Sequence, residues 1–185
     1  MPGSRRAWGW HPLVDEWAGR VVAAAAIQPG DLVFDIGAGH GALTAHLVAA
    51  GARVVAVELH ADRVAVLRRR FAGAPVTVVH GDATALRLPG RPFRVVASPP
   101  YGISSALLRL LLAPRSTLAR ADLVLQRAVV RRYVEGRSAL GGSALGGRWE
   151  ARIGQLLPRR AFRPPPQVDS AVLVVRSRLS GRGRG

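Results

Sequence analysis

The chain alternates between short apolar runs and longer segments whose apolar residues recur at helical spacing. The short apolar runs predict buried strands at residues 31–36 and 93–97 and further strands at 53–58, 76–80, 122–125, 149–157 and 171–175. Helical spacing predicts helices over residues 13–27, 42–50, 61–71, 104–113 and 127–135. Continuous apolar strands separated by helices are typical of a parallel sheet covered on both faces. The pattern therefore predicts an α/β, doubly wound fold.

Length and composition suit one domain with a proper core. The chain has 185 residues, of which 49% are hydrophobic, and it contains no cysteine. No apolar run approaches the roughly 18 residues of a membrane span, and the first residues lack the apolar region of a signal peptide. We expect a cytoplasmic protein with one domain over residues 1–178 and a disordered Arg/Gly tail at 179–185. The duplicated stretch 138–147 (SALGGSALGG) predicts a flexible loop.

The strongly positive net charge predicts a polyanionic partner. The formal net charge is +16, and every basic residue other than histidine is an arginine. The alternative to a polyanionic partner is a basic protein whose charge only keeps it soluble. For each arginine taken alone, the alternative is a solvated surface position without a partner. The arginines expected to contact phosphate are Arg5, Arg6, Arg68, Arg69, Arg70, Arg131, Arg132, Arg159, Arg160 and Arg163. Trp8, Trp10 and Trp149 could stack on bases or pack internally.

Polar motifs follow the first three predicted strands, at the ends where doubly wound sheets bind ligands. The loop 35–41 (DIGAGHG) contains glycines that permit a tight turn and close approach of a ligand. Glu58 ends the second strand and can accept both hydroxyls of a ribose, and Asp82 ends the third and can accept from an adenine amino group. The loop also fits a dinucleotide pattern, so these residues alone do not separate NAD from S-adenosylmethionine. Each motif also has a structural alternative: a turn without a ligand for the glycine loop, a solvated side chain for Glu58 and a turn-capping role for Asp82.

The tetrapeptide Ser98-Pro99-Pro100-Tyr101 follows the fourth predicted strand. Enzymes that methylate planar, conjugated nitrogens need a stiff platform that accepts from an NH2 group and stacks on the ring. Proline supplies carbonyl acceptors without a competing N–H, and tyrosine supplies the ring. An ordinary Pro-Pro turn is the alternative. Joined to three strand-end motifs in the order expected for bound adenosylmethionine, the tetrapeptide favours amino-group methylation.

The chain resembles the Erm/KsgA group of ribosomal RNA adenine-N6 methyltransferases, and the Erm branch in particular. Residues 161–175 (AFRPPPQVDSAVLVV) are similar to the group's F-x-P-x-P-x-V-D-S-A-V signature, residues 123–127 look like its fifth-strand segment, and the likeness spans residues 8–176. The resemblance implies a Rossmann-like fold with seven strands, the last antiparallel, and S-adenosylmethionine as cofactor. It implies catalytic roles for Ser98, Pro99, Pro100 and Tyr101. It implies cofactor binding by His11, Leu13, Asp35, Gly37, Gly39, Gly41, Glu58, Leu59, Asp82, Ala83 and Ser98, with no metal. For His11, a plain surface histidine is the alternative.

This chain departs from the family pattern in three places. Ser98 replaces the usual Asn, residues 10–12 (Trp-His-Pro) replace a Gln-Asn-Phe stretch, and the all-helical C-terminal domain is missing. We predict a monomer that methylates an adenine in 23S rRNA and confers macrolide, lincosamide and streptogramin B resistance. A KsgA-type 16S rRNA enzyme, a DNA or protein N-methyltransferase and a non-catalytic RNA-binding module are the alternatives. Pro100 argues against the 16S enzyme, where Asn-Leu-Pro-Tyr is more usual.

Overall fold

The computed structural model describes residues 11–136 and 147–178. The strands are β1 Leu32–Ile36, β2 Arg53–Glu58, β3 Val76–His80, β4 Phe93–Ala97, β5 Leu118–Gln126, β6 Trp149–Leu157 and β7 Ser170–Ser177. The helices are α1 Asp15–Ala25, α2 Ala42–Ala49, α3 Ala61–Arg70, α4 Ser104–Leu111 and α5 Arg127–Val134. In the part of the chain that is described, no helix is long and apolar enough to cross a membrane.

All seven strands form one sheet in the order β3-β2-β1-β4-β5-β7-β6. Strands β1 to β5 pair in parallel, and β7 runs antiparallel to both β5 and β6. The predicted Rossmann-like architecture with an antiparallel last strand is therefore confirmed. The chain reverses its direction of winding beside β1, which pairs with β2 on one side and β4 on the other. Ligands of open α/β sheets bind at this switch point, beyond the carboxyl ends of the strands.

The core lies in two layers, one on each face of the sheet. On one face, α1 and α2 cover alternate strand residues such as Val33, Val54 and Val96. On the other face, α4 and α5 cover a second set that includes Phe34 and Val95. Because neighbouring strand residues point to opposite faces, strands buried on both faces must be apolar almost throughout. This rigid sheet fixes the carboxyl ends of β1 to β4 relative to one another.

The ends of several elements differ from the sequence prediction. Strand β5 begins at Leu118, earlier than the predicted 122, because two charged residues in it neutralise each other: Arg120 Nε and Nη2 each lie 2.7 Å from an oxygen of Asp122. Helix α1 begins at Asp15 because Leu13 instead forms a bridge with Phe162. The repeat predicted as a loop at 138–147 and the tail at 179–185 lie outside the described residues, except for Gly147.

Candidate active site

The glycine loop between β1 and α2 packs directly against the prolines that follow β4. The backbone N–H groups of Gly37 and Ala38 both donate to the carbonyl of Val57, at 2.9 and 3.1 Å. Gly37 has a φ of +75°, and a Cβ atom there would lie 3.2 Å from Pro100 Cδ and 3.4 Å from Pro99 Cα. Only glycine fits this left-handed conformation and close approach without strain. The first and fourth strand ends are therefore held in contact through Gly37.

Glu58, at the end of β2, is buried and fixed by backbone donors on both carboxylate oxygens. The N–H of Gly39 donates to Oε2 at 2.9 Å, and the N–H of His60 donates to Oε1 at 2.9 Å. Arg63 Nη1 lies 3.7 Å from Oε1. A carboxylate has about four lone-pair sites, so these bonds leave acceptor capacity towards the cavity that Glu58 lines.

Asp35, near the end of β1, is the other buried carboxyl group of the site and is only 1% exposed. The Thr44 hydroxyl, from the first turn of α2, donates to its Oδ2 at 2.6 Å. Burial raises the pKa of Asp35 to about 7, although the hydrogen bonds from Thr44 act in the opposite direction. Carboxyl groups with strongly shifted pKa values cluster at functional sites, so Asp35 is a candidate site residue.

Asp82, after β3, is exposed, and its Oδ1 accepts from both the N–H and the hydroxyl of Thr84 at 2.8 Å. These bonds lower the pKa of Asp82. A mostly apolar cavity lies beside it, and Glu58 sits on its wall. The cavity is lined by Gly37, Val57, Glu58, Leu59, His60, Arg63, Gly81, Asp82, Ala83, Pro100 and Ile103.

A second, more polar cavity shares Gly37 with the first. It is lined by His11, Pro12, Leu13, Asp35, Gly37, Ala38, Gly39, His40, Ala42, Leu43, Arg70 and Ser98. The segment before α1 reaches it by pairing with the stretch before β7. Val14 N–H donates to the Ala161 carbonyl at 2.9 Å, and Arg163 N–H donates to that of Pro12 at 3.0 Å. This pairing closes one wall of the cavity.

Tyr101 begins a short 3₁₀ turn, Tyr101–Ile103, and neighbours His11, which lines the second cavity. Its hydroxyl lies 2.6 Å from the Ser170 hydroxyl at the start of β7. Partial burial raises the pKa of Tyr101, and the hydrogen bond with Ser170 lowers it by a smaller amount. His11 packs on its other side, with ring centroids 6.1 Å apart, and His11 Nδ1 lies 2.9 Å from the Pro164 carbonyl oxygen. The tyrosine is therefore held by a hydrogen bond at its hydroxyl and by a ring contact with His11.

Most of the residues predicted for the site line these two cavities, and Pro99, Tyr101 and Gly41 are not among the lining residues. Gly41 has a φ of +87°, and a Cβ atom there would lie 2.5 Å from Phe71 Cε2, so the structure gives it a packing role. Trp149 is buried in the core and cannot stack on a base, whereas Trp8 and Trp10 lie outside the described residues. Sequence reasoning missed Thr44 as a partner of Asp35, because a lone threonine nine residues further along the chain carries no pattern.

Exposed arginines flank the same edge of the sheet. Arg127 and Arg131 belong to α5, which follows the carboxyl end of β5, and Arg159 and Arg160 follow the end of β6. Arg163 is exposed next to the pairing segment. A basic rim along the same sheet edge as the cavities is the electrostatic arrangement that attracts a polyanion. Within the described residues, no group of His, Cys, Asp or Glu side chains could hold a metal ion.

Comparison with known proteins settles the class of enzyme. The family model described as "Ribosomal RNA adenine dimethylase" matches residues 5–180, which is nearly the whole chain. The chain belongs to this family. It is an S-adenosylmethionine-dependent ribosomal RNA adenine methyltransferase of the Erm/KsgA group.

Relatives from both branches of the family are similar to this chain. A "Ribosomal RNA small subunit methyltransferase A" from Thermosynechococcus vestitus is 38% identical over 95% of this chain and 71% of the relative. The "Mycinamicin-resistance protein MyrB" from Micromonospora griseorubida is 36% identical over 95% of this chain and 57% of its own length. The solved 23S rRNA methyltransferase ErmE has a TM-score of 0.80 and 30% identity, and the match covers 94% of this chain and 72% of ErmE.

Proposed function

We propose that this protein transfers a methyl group to N6 of an adenine in 23S rRNA and thereby confers macrolide, lincosamide and streptogramin B resistance. The observation that carries the proposal is the contact of Pro99 and Pro100 with Gly37, which joins a platform for a planar amino group to a glycine loop. The likeness to ErmE and MyrB supports the large-subunit target. The family match over residues 5–180 supports a catalytic domain that covers residues 1–178.

The two cavities fit the two ends of S-adenosylmethionine. The apolar cavity offers Leu59, Ala83 and Ile103 to an adenine ring, with Asp82 at its edge and Glu58 within reach of ribose hydroxyls. The polar cavity offers Asp35 to the amino group of the methionine part, together with His11, Leu13 and Ser98. Gly37, which both cavities share, would then lie against the middle of the cofactor. Gly39 contributes indirectly by holding Glu58.

Catalysis in this proposal is mainly positioning. The cofactor supplies an electrophilic methyl group, so the residues must orient adenine N6, whose lone pair is conjugated into the ring. The Pro99 carbonyl accepts one N6 hydrogen, Ser98 assists, and Tyr101 stacks on the base. Fixing the line of attack in this way lowers the barrier without a dedicated general base, because a methylated ammonium loses its proton readily.

The RNA would be held by the basic rim of the site. A target adenine must leave its stack, which costs least in an unpaired loop. Contacts from the exposed arginines to phosphates supply the remaining affinity, and binding should weaken steeply with salt. We propose that the protein acts as a monomer in the cytoplasm, where its ribosomal RNA substrate is found.

Methylation of 16S rRNA is the second candidate, because relatives named as small-subunit methyltransferases are up to 40% identical to this chain. Incubation with labelled methyl donor and 23S rRNA, 16S rRNA, assembled subunits or DNA separates the candidates. We expect label in 23S rRNA, and label confined to 16S rRNA would overturn the leading proposal. Expression in a drug-sensitive host should raise tolerance of all three drug classes, whereas the Tyr101→Ala variant should not.

Ser98 tests how the platform holds the amino group. Serine has a shorter reach than the asparagine usual in the family, so its hydroxyl should hold N6 more loosely, through a water. We expect Ser98→Asn to keep or raise the methylation rate. Complete loss of activity in a folded Ser98→Asn protein would contradict this account of the tetrapeptide.

A further inference from the structure

Arg70 stands apart from its neighbours in the arginine run at the end of α3. Its Nη1 donates to the His40 carbonyl at 2.7 Å, so the side chain reaches back onto the glycine loop. Its guanidinium carbon lies 5.2 Å from the centroid of the Phe71 ring, and Phe71 in turn packs where Gly41 leaves room. Two contacts therefore brace an otherwise exposed side chain at one position.

That position is on the wall of the polar cavity, which Arg70 lines together with Asp35. The cavity thus carries one acidic and one permanently cationic side chain. Ala42 and Leu43, in the first turn of α2, also line it, and this turn contains no acidic residue. The N-terminus of a helix attracts negatively charged groups through its unpaired N–H groups, and the Arg70 guanidinium attracts them through its positive charge. The Asp35 carboxyl group and the Arg70 guanidinium face the same cavity, so together they are complementary to the ammonium and carboxylate groups of an amino acid.

We infer that Arg70 binds the carboxylate of the methionine part of S-adenosylmethionine, opposite the amino group that Asp35 receives. This inference rests on the cofactor placement proposed above. It also separates Arg70 from the rest of the arginine run, which the sequence assigns to RNA phosphates as a group. A guanidinium that is already braced loses little conformational entropy when it binds, and five N–H donors leave several for a carboxylate after one is used on His40.

The test measures binding rather than turnover. S-adenosylhomocysteine and its decarboxylated analogue are titrated calorimetrically into wild type, Arg70→Gln, Arg70→Lys and the matched control Arg69→Gln. For Arg70→Gln we expect the dissociation constant of S-adenosylhomocysteine to rise about 10-fold and that of the decarboxylated analogue to rise less than about 2-fold, since hydrogen bonds to charged groups are individually strong. Arg70→Lys should recover part of the loss, and Arg69→Gln, whose side chain does not line the cavity, should leave the dissociation constants of both ligands unchanged.

The controls distinguish the ways in which the inference could be wrong. Equal weakening of both ligands by Arg70→Gln would show that Arg70 only braces the glycine loop, and no weakening of either would also overturn the inference. Filter binding of RNA adds another arm: loss of RNA affinity with unchanged S-adenosylhomocysteine binding would assign Arg70 to a phosphate instead. If wild type binds neither S-adenosylhomocysteine nor 5′-methylthioadenosine, the cofactor placement itself fails, whatever Arg70 does.

Discussion

Asp35→Asn should make the folded protein less sensitive to pH, at the expense of cofactor binding. Asp35 is almost fully buried, and its carboxyl group has a pKa of about 7 in the fold against 3.8 for an ordinary aspartate. The folded state therefore retains a proton that the unfolded state releases near pH 4. Stability falls as the pH rises between these two values and is constant above the higher one. Asparagine has no such titration and still offers Thr44 an acceptor oxygen.

The size of the effect follows from the two pKa values. A shift from 3.8 to about 7 corresponds to roughly 4 kcal/mol of unfolding free energy above pH 7. Between about pH 5 and about pH 8, the unfolding free energy that wild type loses because of Asp35 is about 3 kcal/mol. Asp35→Asn should abolish this loss, because asparagine does not titrate. The variant should therefore become more stable relative to wild type as the pH rises.

Urea unfolding of both proteins at several pH values within that range gives the comparison directly. Asp62→Asn, which removes an exposed carboxylate from α3, controls for the change in net charge. The gap between Asp35→Asn and wild type should widen by about 3 kcal/mol, while the gap for Asp62→Asn stays nearly constant. Parallel curves for Asp35→Asn and wild type would refute the reasoning, because Asp35 would then be ionised in the folded protein throughout.

Three further changes test other parts of the site. Glu58→Gln should weaken S-adenosylhomocysteine and 5′-methylthioadenosine alike, by about 10-fold in calorimetry, because both ligands contain the ribose; weakening of only one would contradict the ribose contact. Ser170→Ala should raise the pKa of Tyr101 further, because a bond that lowers it is lost. Absorbance titration reports this once the only other tyrosine is replaced by phenylalanine, and an unchanged midpoint would argue against the bond. Gly41→Ala should cost more than about 2 kcal/mol in urea unfolding, whereas Gly73→Ala, with a similar φ but open space, should cost about 1 kcal/mol; equal costs would exclude a packing role.

The positions of the strands and of the glycine loop could be predicted from the sequence because they depend on short-range patterns. The apolar patterns predicted β2, β3, β4 and β6 with the bounds that the structure has. Strand β5 was predicted too short, since Arg120 and Asp122 interrupt the apolar pattern and only their mutual ion pair makes them compatible with burial.

The partners within the site depend on long-range contacts and could not be predicted in the same way. Thr44 and Asp35 meet because α2 packs onto β1, and Tyr101 meets Ser170 because β7 inserts beside β5. Gly41 matched a ligand-binding pattern, yet a phenylalanine ring occupies the space beside it. A loop pattern therefore predicts which segment borders a cavity, and packing decides which of its residues face that cavity.

The central claim is methyl transfer to adenine N6 in 23S rRNA, and nucleoside mass spectrometry after reaction with a deuterated methyl donor tests it most directly. Purified 23S and 16S rRNA are treated with wild type or with Tyr101→Ala, digested, and analysed for labelled methyladenosines, with the modified position located by fragment mapping. The account predicts labelled N6-methylated adenosine in 23S rRNA with wild type and little with the variant. Label only in 16S rRNA, or on any base atom other than adenine N6, would contradict it.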